Sequence, residues 1–231
     1  VSLTEDGLRI GALTTLSQLD RSPVVREHFA AIRDATGQMA AIQIRNAATV
    51  GGNVVCAVPC ADLPPVFSVL DASVLAWSPS GERRIKLDSF YVGVRKTVLR
   101  DGEVLTAVIV PRSPRNFGAA YARFALREGN AVAVASVAAS VQFDRDGLVQ
   151  DVRITLGAVS PIPKRVKRAE AALTGRRLDE TALFEAAEAA MQAAEPISDV
   201  RGSACFRREL LGVLTRRALL TARDRAAENK A

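Results

Sequence analysis

The spacing of hydrophobic positions changes several times along this chain, and each change predicts an element. "SLTEDGLRIGAL" alternates around Asp6-Gly7, the pattern of two short strands turned at an Asp-Gly pair. "TTLSQLDRSPVVREHFAAIRDATGQM" moves to helical spacing, a short turn and then a longer helix. Ser22 is its N-cap, Pro23 takes the first helical position, and Val25, Phe29 and Ile32 share a face. A small β-type run then enters Gly51-Gly52-Asn53, and "DLPPVFSVLDA" follows as a short helix capped by Asp62. "SVLAWSPSGERRIKL" is a hairpin about Ser-Pro-Ser-Gly, and "EVLTAVIVP" is a strand closed by Pro111.

Composition shifts at "PRSPRNFG", residues 111–118, which reads as a linker. Beyond it "AAYARFAL", "VAVASVAASVQF" and "LVQDVRITLGAV" have the length and alternation of strands, the last two joined by the turn signal "DRDG". Strands in immediate succession imply antiparallel pairing. The rest is helical: "RVKRAEAAL", "DETALFEAAEAAMQAA" and "CFRRELLGVLTRRALLTA", the last with Phe206, Leu210, Val213 and Leu214 on one stripe. The expected fold class is α+β: a mixed lobe over 1–112, then a unit over 113–231 with a three-stranded antiparallel sheet and packed helices.

Composition narrows the chemistry. The chain is 48% hydrophobic and 24% charged, enough apolar material for a substantial core, and with few aromatics that core is built from small aliphatic side chains. Its net charge of +6 is spread through "SGERRIK", "PKRVKR" and "LTRRALLTARDR" without interleaved aromatics, so solvated helix faces are expected and not a nucleic-acid surface. No apolar run reaches the roughly 18–20 residues of a membrane span. Three cysteines, an odd and small number, suit a reducing, cytoplasmic compartment. Cys56 and Cys60 lack a second ligand pair, so buried free thiols are expected there instead of a metal. The single histidine, His28, sits in an amphipathic helical stretch, which leaves Ser-His-Asp and Cys-His mechanisms without a base.

The stretch that invites chemistry is "RNAATVGGNVVCAVPCADLPP". Two adjacent glycines weaken regular structure unless the backbone turns tightly or must come close to something. In Thr49-Val50-Gly51-Gly52-Asn53, successive N–H groups can converge on an anion, with Thr49 and Asn53 adding side-chain donors. The motif is neither a Walker loop nor a G-x-G-x-x-G fingerprint. Taken alone, it leaves a structural turn and a diphosphate cradle both open.

The longer string "IQIRNAATVGGNVVCAVPCADLPPVFSVLDASV" resembles the FAD-binding flavoprotein (medium) subunit of the molybdenum hydroxylases, the xanthine dehydrogenase, carbon monoxide dehydrogenase and 4-hydroxybenzoyl-CoA reductase family. Ile44-Arg45-Asn46, Ala48 to Asn53, Ala57, Pro59, Asp62 and Pro65 fit the family pattern, and "AEAALTGRRLDE" and "ISDVRGSACFRRELLGVLTRRAL" resemble its later helix–turn and closing stretches. The resemblance implies a two-lobed FAD-binding fold, with Thr49, Val50, Gly51, Gly52 and Asn53 as a diphosphate loop and Asp62 as a further FAD contact. Val132 is the candidate beside the flavin ring, although Ala131-Val132-Ala133 stands where many members have Asp-Ile-Ala. Arg45 falls on scaffold entering the loop. The implied partners are a large subunit with a molybdenum cofactor and a small subunit with [2Fe–2S] clusters. Electrons then pass from those clusters through FAD to an external acceptor.

Val1 opens in the course of a sheet, which points to a longer protein. By the resemblance, a preceding segment with an Ala-Gly-Gly loop supplies the other half of the diphosphate site. The alternative expectation is a truncated subunit that only packs against partners and binds no flavin.

Overall fold

A computed structural model describes residues 1–229. Strands β1 (Ser2–Thr4) and β2 (Gly7–Gly11) form the expected hairpin. Gly7 is obligatory there: its φ is +121°, and a Cβ would lie 2.1 Å from the Val110 carbonyl oxygen. The expected short turn is α1 (Leu16–Arg21), and the predicted longer helix divides into α2 (Pro23–His28) and α3 (Ala30–Gln38), broken at Phe29 where φ and ψ are −133° and 55°. Thr15 closes a capping box with Gln18 at the start of α1. Ser22 begins α2 through its carbonyl, which accepts from the Arg26 amide, and not through its hydroxyl.

The run before the glycines is helical and not β-type. It forms α4 (Ile42–Ala47), followed by α5 (Val50–Val55) and α6 (Leu63–Val69). Strands β3 (Ser73–Ser78) and β4 (Gly81–Lys86) make the second expected hairpin, and β5 (Tyr91–Gly93) and β6 (Lys96–Thr97) a small ribbon. With β7 (Val104–Val110) the first sheet runs β1-β2-β7-β3-β4. Leu8, Ile10, Val74, Ala76, Val108 and Val110 alternate onto its inner face and join the residues of α1, α3, α5 and α6 in one core.

The second sheet contains β8 (Phe117–Phe124), β9 (Ala135–Phe143) and β10 (Val149–Gly157), the three expected antiparallel strands, plus a fourth of two residues, β11 (Lys164–Arg165). The short strand could not be read from alternation because two residues carry no period. Helices α7 (Lys167–Leu173), α8 (Glu180–Ala193) and α9 (Ala204–Glu228) cover one face. The other face meets the first core: Ala119, Tyr121 and Ala138 belong to it, whereas Ala135, Val137, Ala139 and Val141 face the helices. Both faces of β9 are therefore buried, which explains its run of alanines, valines and serines. Ser140 donates to the Val69 carbonyl (2.9 Å) and Thr155 to Ser68 (3.1 Å), so polar atoms on this wall find partners in α6. A further tie is bidentate: Arg225 of α9 grips Asp34 of α3 at 2.6 and 2.9 Å, and Asp34 also accepts from the Tyr121 amide.

The expected stripe on α9 is corrected. Phe206 and Val213 are exposed; the buried positions are Arg207, Leu211, Leu214, Thr215, Ala218, Leu219, Ala222 and Ala226. A hydrophobic reading misses this rotation because a charged residue leads the inward face. The cysteines are also corrected: Cys56 and Cys205 are exposed and only Cys60 is partly covered. Among the described residues no helix is long and apolar enough to cross a membrane.

Candidate functional site

Thr49 ends the approach from α4 and caps α5. Its hydroxyl accepts from the Gly52 amide at 3.0 Å, and its backbone pairs with Thr15 in an isolated antiparallel bridge. The main-chain cradle expected from the sequence is corrected here. Of the five amides from Thr49 to Asn53, four donate inside the chain: Val50 to the Thr14 carbonyl, Gly51 to that of Ala12, Gly52 to the Thr49 hydroxyl and Asn53 to the Thr49 carbonyl. They start a helix against the end of β2 instead of converging on open space.

The two glycines have different causes. A Cβ on Gly51 would lie 2.8 Å from both the Cβ and the carbonyl oxygen of Ala12, so packing demands glycine. Gly52 is exposed, and a Cβ there would meet only the Thr49 hydroxyl oxygen, at 3.1 Å. Alanine would favour the helix at Gly52 by about 1 kcal/mol. Against that gain, a Cβ would press on the Thr49 hydroxyl that caps the helix, which would have to give by a few tenths of an ångström; the bare backbone facing solvent also allows a ligand to approach closely.

Asn53 links this edge to the next element. Its side-chain oxygen accepts from the Leu63 amide (3.4 Å), which leaves the side-chain NH2 available to donate. Asp62, one residue earlier, occupies the cap position of α6 but does not cap it; that expectation is corrected. Its carboxylate turns into the interface, where Oδ1 accepts from the Tyr121 hydroxyl at 2.6 Å and from Arg123 at 3.1 Å, and Oδ2 accepts from Arg123 at 3.3 Å. Burial pushes the Asp62 carboxyl upward, opposed by the Arg123 guanidinium and the Tyr121 hydrogen bond. Burial, and then the charge of Asp62, push the Tyr121 phenol well above its usual range, so it stays a neutral donor.

Arg123 continues the path. Its second terminal nitrogen donates to the Ala131 carbonyl (3.3 Å), directly before Val132, whose side chain is exposed in the loop between β8 and β9. The expected residues are thus brought onto one hydrogen-bonded line, from Thr49 through Asn53 and Asp62 to the segment carrying Val132. Arg45 stays outside it: the guanidinium donates to the Met39 carbonyl (2.7 Å) and ties α4 to the end of α3.

Sequence reasoning missed Tyr121 and Arg123. The signal was present, since both occupy one face of the strand "AAYARFAL" at a spacing of two, and a buried arginine requires a carboxylate partner. It also missed Arg207, buried at the start of α9. Arg207 donates to the Val134 carbonyl (2.9 Å), the Ala158 carbonyl (3.3 Å) and Asp199 (2.7 Å), while its Nε has no partner among the described residues. Arg201 also grips Asp199, and together the two arginines hold that carboxyl far below the usual range. Among the described residues no cluster of His, Cys, Asp and Glu is placed to hold a metal ion. What the line offers is a shallow polar edge with hydroxyl and amide donors, a bare glycine, and an exposed apolar side chain at its far end.

Comparison with known proteins gives this edge a context. Residues 1–113 match the FAD binding domain in molybdopterin dehydrogenase, and residues 119–222 the CO dehydrogenase flavoprotein C-terminal domain. The 6-hydroxypseudooxynicotine dehydrogenase complex subunit alpha of Paenarthrobacter nicotinovorans is 33% identical over 98% of this chain and 76% of its own length. A putative xanthine dehydrogenase FAD-binding subunit of Escherichia coli is 32% identical over 95% and 75%. Reconstituted CO dehydrogenase from Oligotropha carboxidovorans superposes with a TM-score of 0.91 at 32% identity, covering 97% of this chain and 79% of the other.

Proposed function

Since this chain belongs to the FAD-binding (medium) subunits of the molybdenum hydroxylase family, we propose that it receives electrons from the [2Fe–2S] clusters of a small partner subunit and passes them through FAD to an external acceptor. A large partner subunit holds the molybdenum cofactor and selects the substrate. Relatives named for a nicotine derivative and for xanthine stand at 33% and 32% identity, so substrate class does not follow from likeness to either. The complex works in the cytoplasm. We read the chain as two units, 1–112 and 113–231, with residues 230 and 231 outside those described.

The observation that carries the cofactor reading is Gly52, exposed and with no side chain between its backbone and solvent. There the diphosphate comes against the backbone, and Thr49 and Asn53 donate to it. The Thr49 hydroxyl is suited to this because its oxygen already accepts from the Gly52 amide and its own proton remains available to donate. Val50 and Gly51 fix the turn against β2. Asp62 has lone pairs beyond those used by Tyr121 and Arg123, and accepts from a cofactor N–H or O–H. Val132 supplies an apolar surface to the flavin ring. When bound, FAD can take electrons singly and release them as a pair; the side chains position and tune it.

Replacing Gly52 with valine tests the reading. The variant, purified with its partner subunits, still assembles with them as a folded subunit and lacks flavin absorbance. Full flavin occupancy in Gly52→Val would overturn the assignment of this edge to the diphosphate.

A further inference from the structure

The loop between β8 and β9, residues 125–134, is tethered at few points. The Asn130 amide reaches the Ala40 carbonyl at 3.3 Å, and Val134 is held through its amide to the Phe124 carbonyl and through its carbonyl to Arg207. The contact nearest Val132 is the Ala131 carbonyl, and it is held by Arg123. That arginine extends from β8 with 3% of its side chain exposed, and its two terminal nitrogens do different jobs: Nη1 pairs with the Asp62 carboxylate, Nη2 with the loop.

We propose that Arg123 is a positioning residue that fixes the Val132 segment against the cofactor edge by clamping the Ala131 carbonyl to Asp62. The requirement is for a planar fork and not only for charge. A guanidinium can span a carboxylate and a carbonyl at once, whereas an ammonium at the end of a lysine is a single point of contact. Tyr121 supports the clamp from the same face of β8 by holding the Asp62 oxygen nearest it (2.6 Å). A shift along α6 therefore moves the clamp, and through it Val132, so the Asn53–Leu63 junction and the ring-side loop are mechanically joined.

For its ring contact the inference rests on the FAD reading above; the loop's tether does not depend on it. Two variants separate clamp from fold. Arg123→Lys keeps the charge opposite Asp62 and gives up the Ala131 contact. The double variant Arg123→Met/Asp62→Asn removes the buried pair together, so that neither charge is left alone. Trypsin cleavage after the exposed Arg127, followed in the purified complex, reads the loop directly. Cleavage there becomes at least about tenfold faster in both variants, because proteolysis tracks the population of the opened segment. Cleavage at the parent rate in both would overturn the clamp. The second readout is bound-flavin fluorescence, which rises in Arg123→Lys with FAD content unchanged, since the diphosphate edge is untouched. Faster cleavage with unaltered flavin fluorescence would overturn the ring contact while leaving the tether. A parent complex without flavin would instead defeat the cofactor reading, and cleavage alone would then decide the role of Arg123.

Discussion

Arg123 and Arg207 are both almost fully buried, each pairs with one aspartate, and each donates to a carbonyl of the same loop, Ala131 for one and Val134 for the other. Their surroundings separate them. Arg207 joins three stretches distant in sequence: the start of β9, the end of β10 and the turn at Asp199 before α9. It helps set the rotation of the longest helix. Arg123 joins one loop to one carboxylate and faces the first core's edge. Similar chemistry and similar burial thus serve architecture in one case and the placement of a few atoms in the other. The number of stretches each one joins, not the depth of burial, tells the two apart.

The largest expected effect that sharpens this comparison is on Arg207. Arg207→Met leaves the Val134 and Ala158 carbonyls without their donor and weakens the hold on Asp199. It is expected to cost about 3–5 kcal/mol in chemical denaturation, the range for breaking a buried pair. A loss below about 1 kcal/mol would place Arg207 in the same class as a surface ion pair. Next comes Arg225→Met, which removes the bidentate grip on Asp34 between α9 and α3. Both side chains there are partly exposed, so a loss of about 1–2 kcal/mol is expected from thermal or urea unfolding.

The smallest effect is on Arg83–Glu103, a bidentate pair near the surface, where the Arg83 hydrogen bond first and then the Arg100 amide hold Glu103 down at about 2. A carboxyl lowered on folding stabilises the protein above its ordinary pKa, 4.5, and loses that contribution as pH falls toward about 2. The stability difference between the parent and Glu103→Gln is therefore present at pH 7 and shrinks across that acidic window. A pH-independent difference would mean the pair contributes through packing instead.

Much of the fold was legible because its periods are clean. The hairpins around Gly7 and Gly81, the three long strands of the second sheet and the three closing helices all lie where alternation and helical spacing put them. Other features were not. Residues 42–47 have good β-formers at two positions, yet they make a one-turn helix that ends where Thr49 must meet Thr15, a tertiary demand that local propensity does not carry. The face of α9 was misjudged because Arg207 leads it. The double glycine was visible in the sequence but its causes were not, since one glycine answers to Ala12 and the other stands exposed against the Thr49 hydroxyl. Asp62 was recognised as important; its partners lay about sixty residues away, and only the pairing of lobes brings Tyr121 and Arg123 to it.

Strand β9 belongs to two interiors at once. Alternate residues from Ala135 to Val141 fill the space under α9, and those between them fill the space beside α6. A bulkier side chain on either set can be fitted only by pushing the strand itself toward the opposite compartment, because packed interiors yield little. The strand therefore behaves as a party wall: whatever enlarges one room is felt in the other, and the packing beside α6 and the closing helix bundle must change together or not at all.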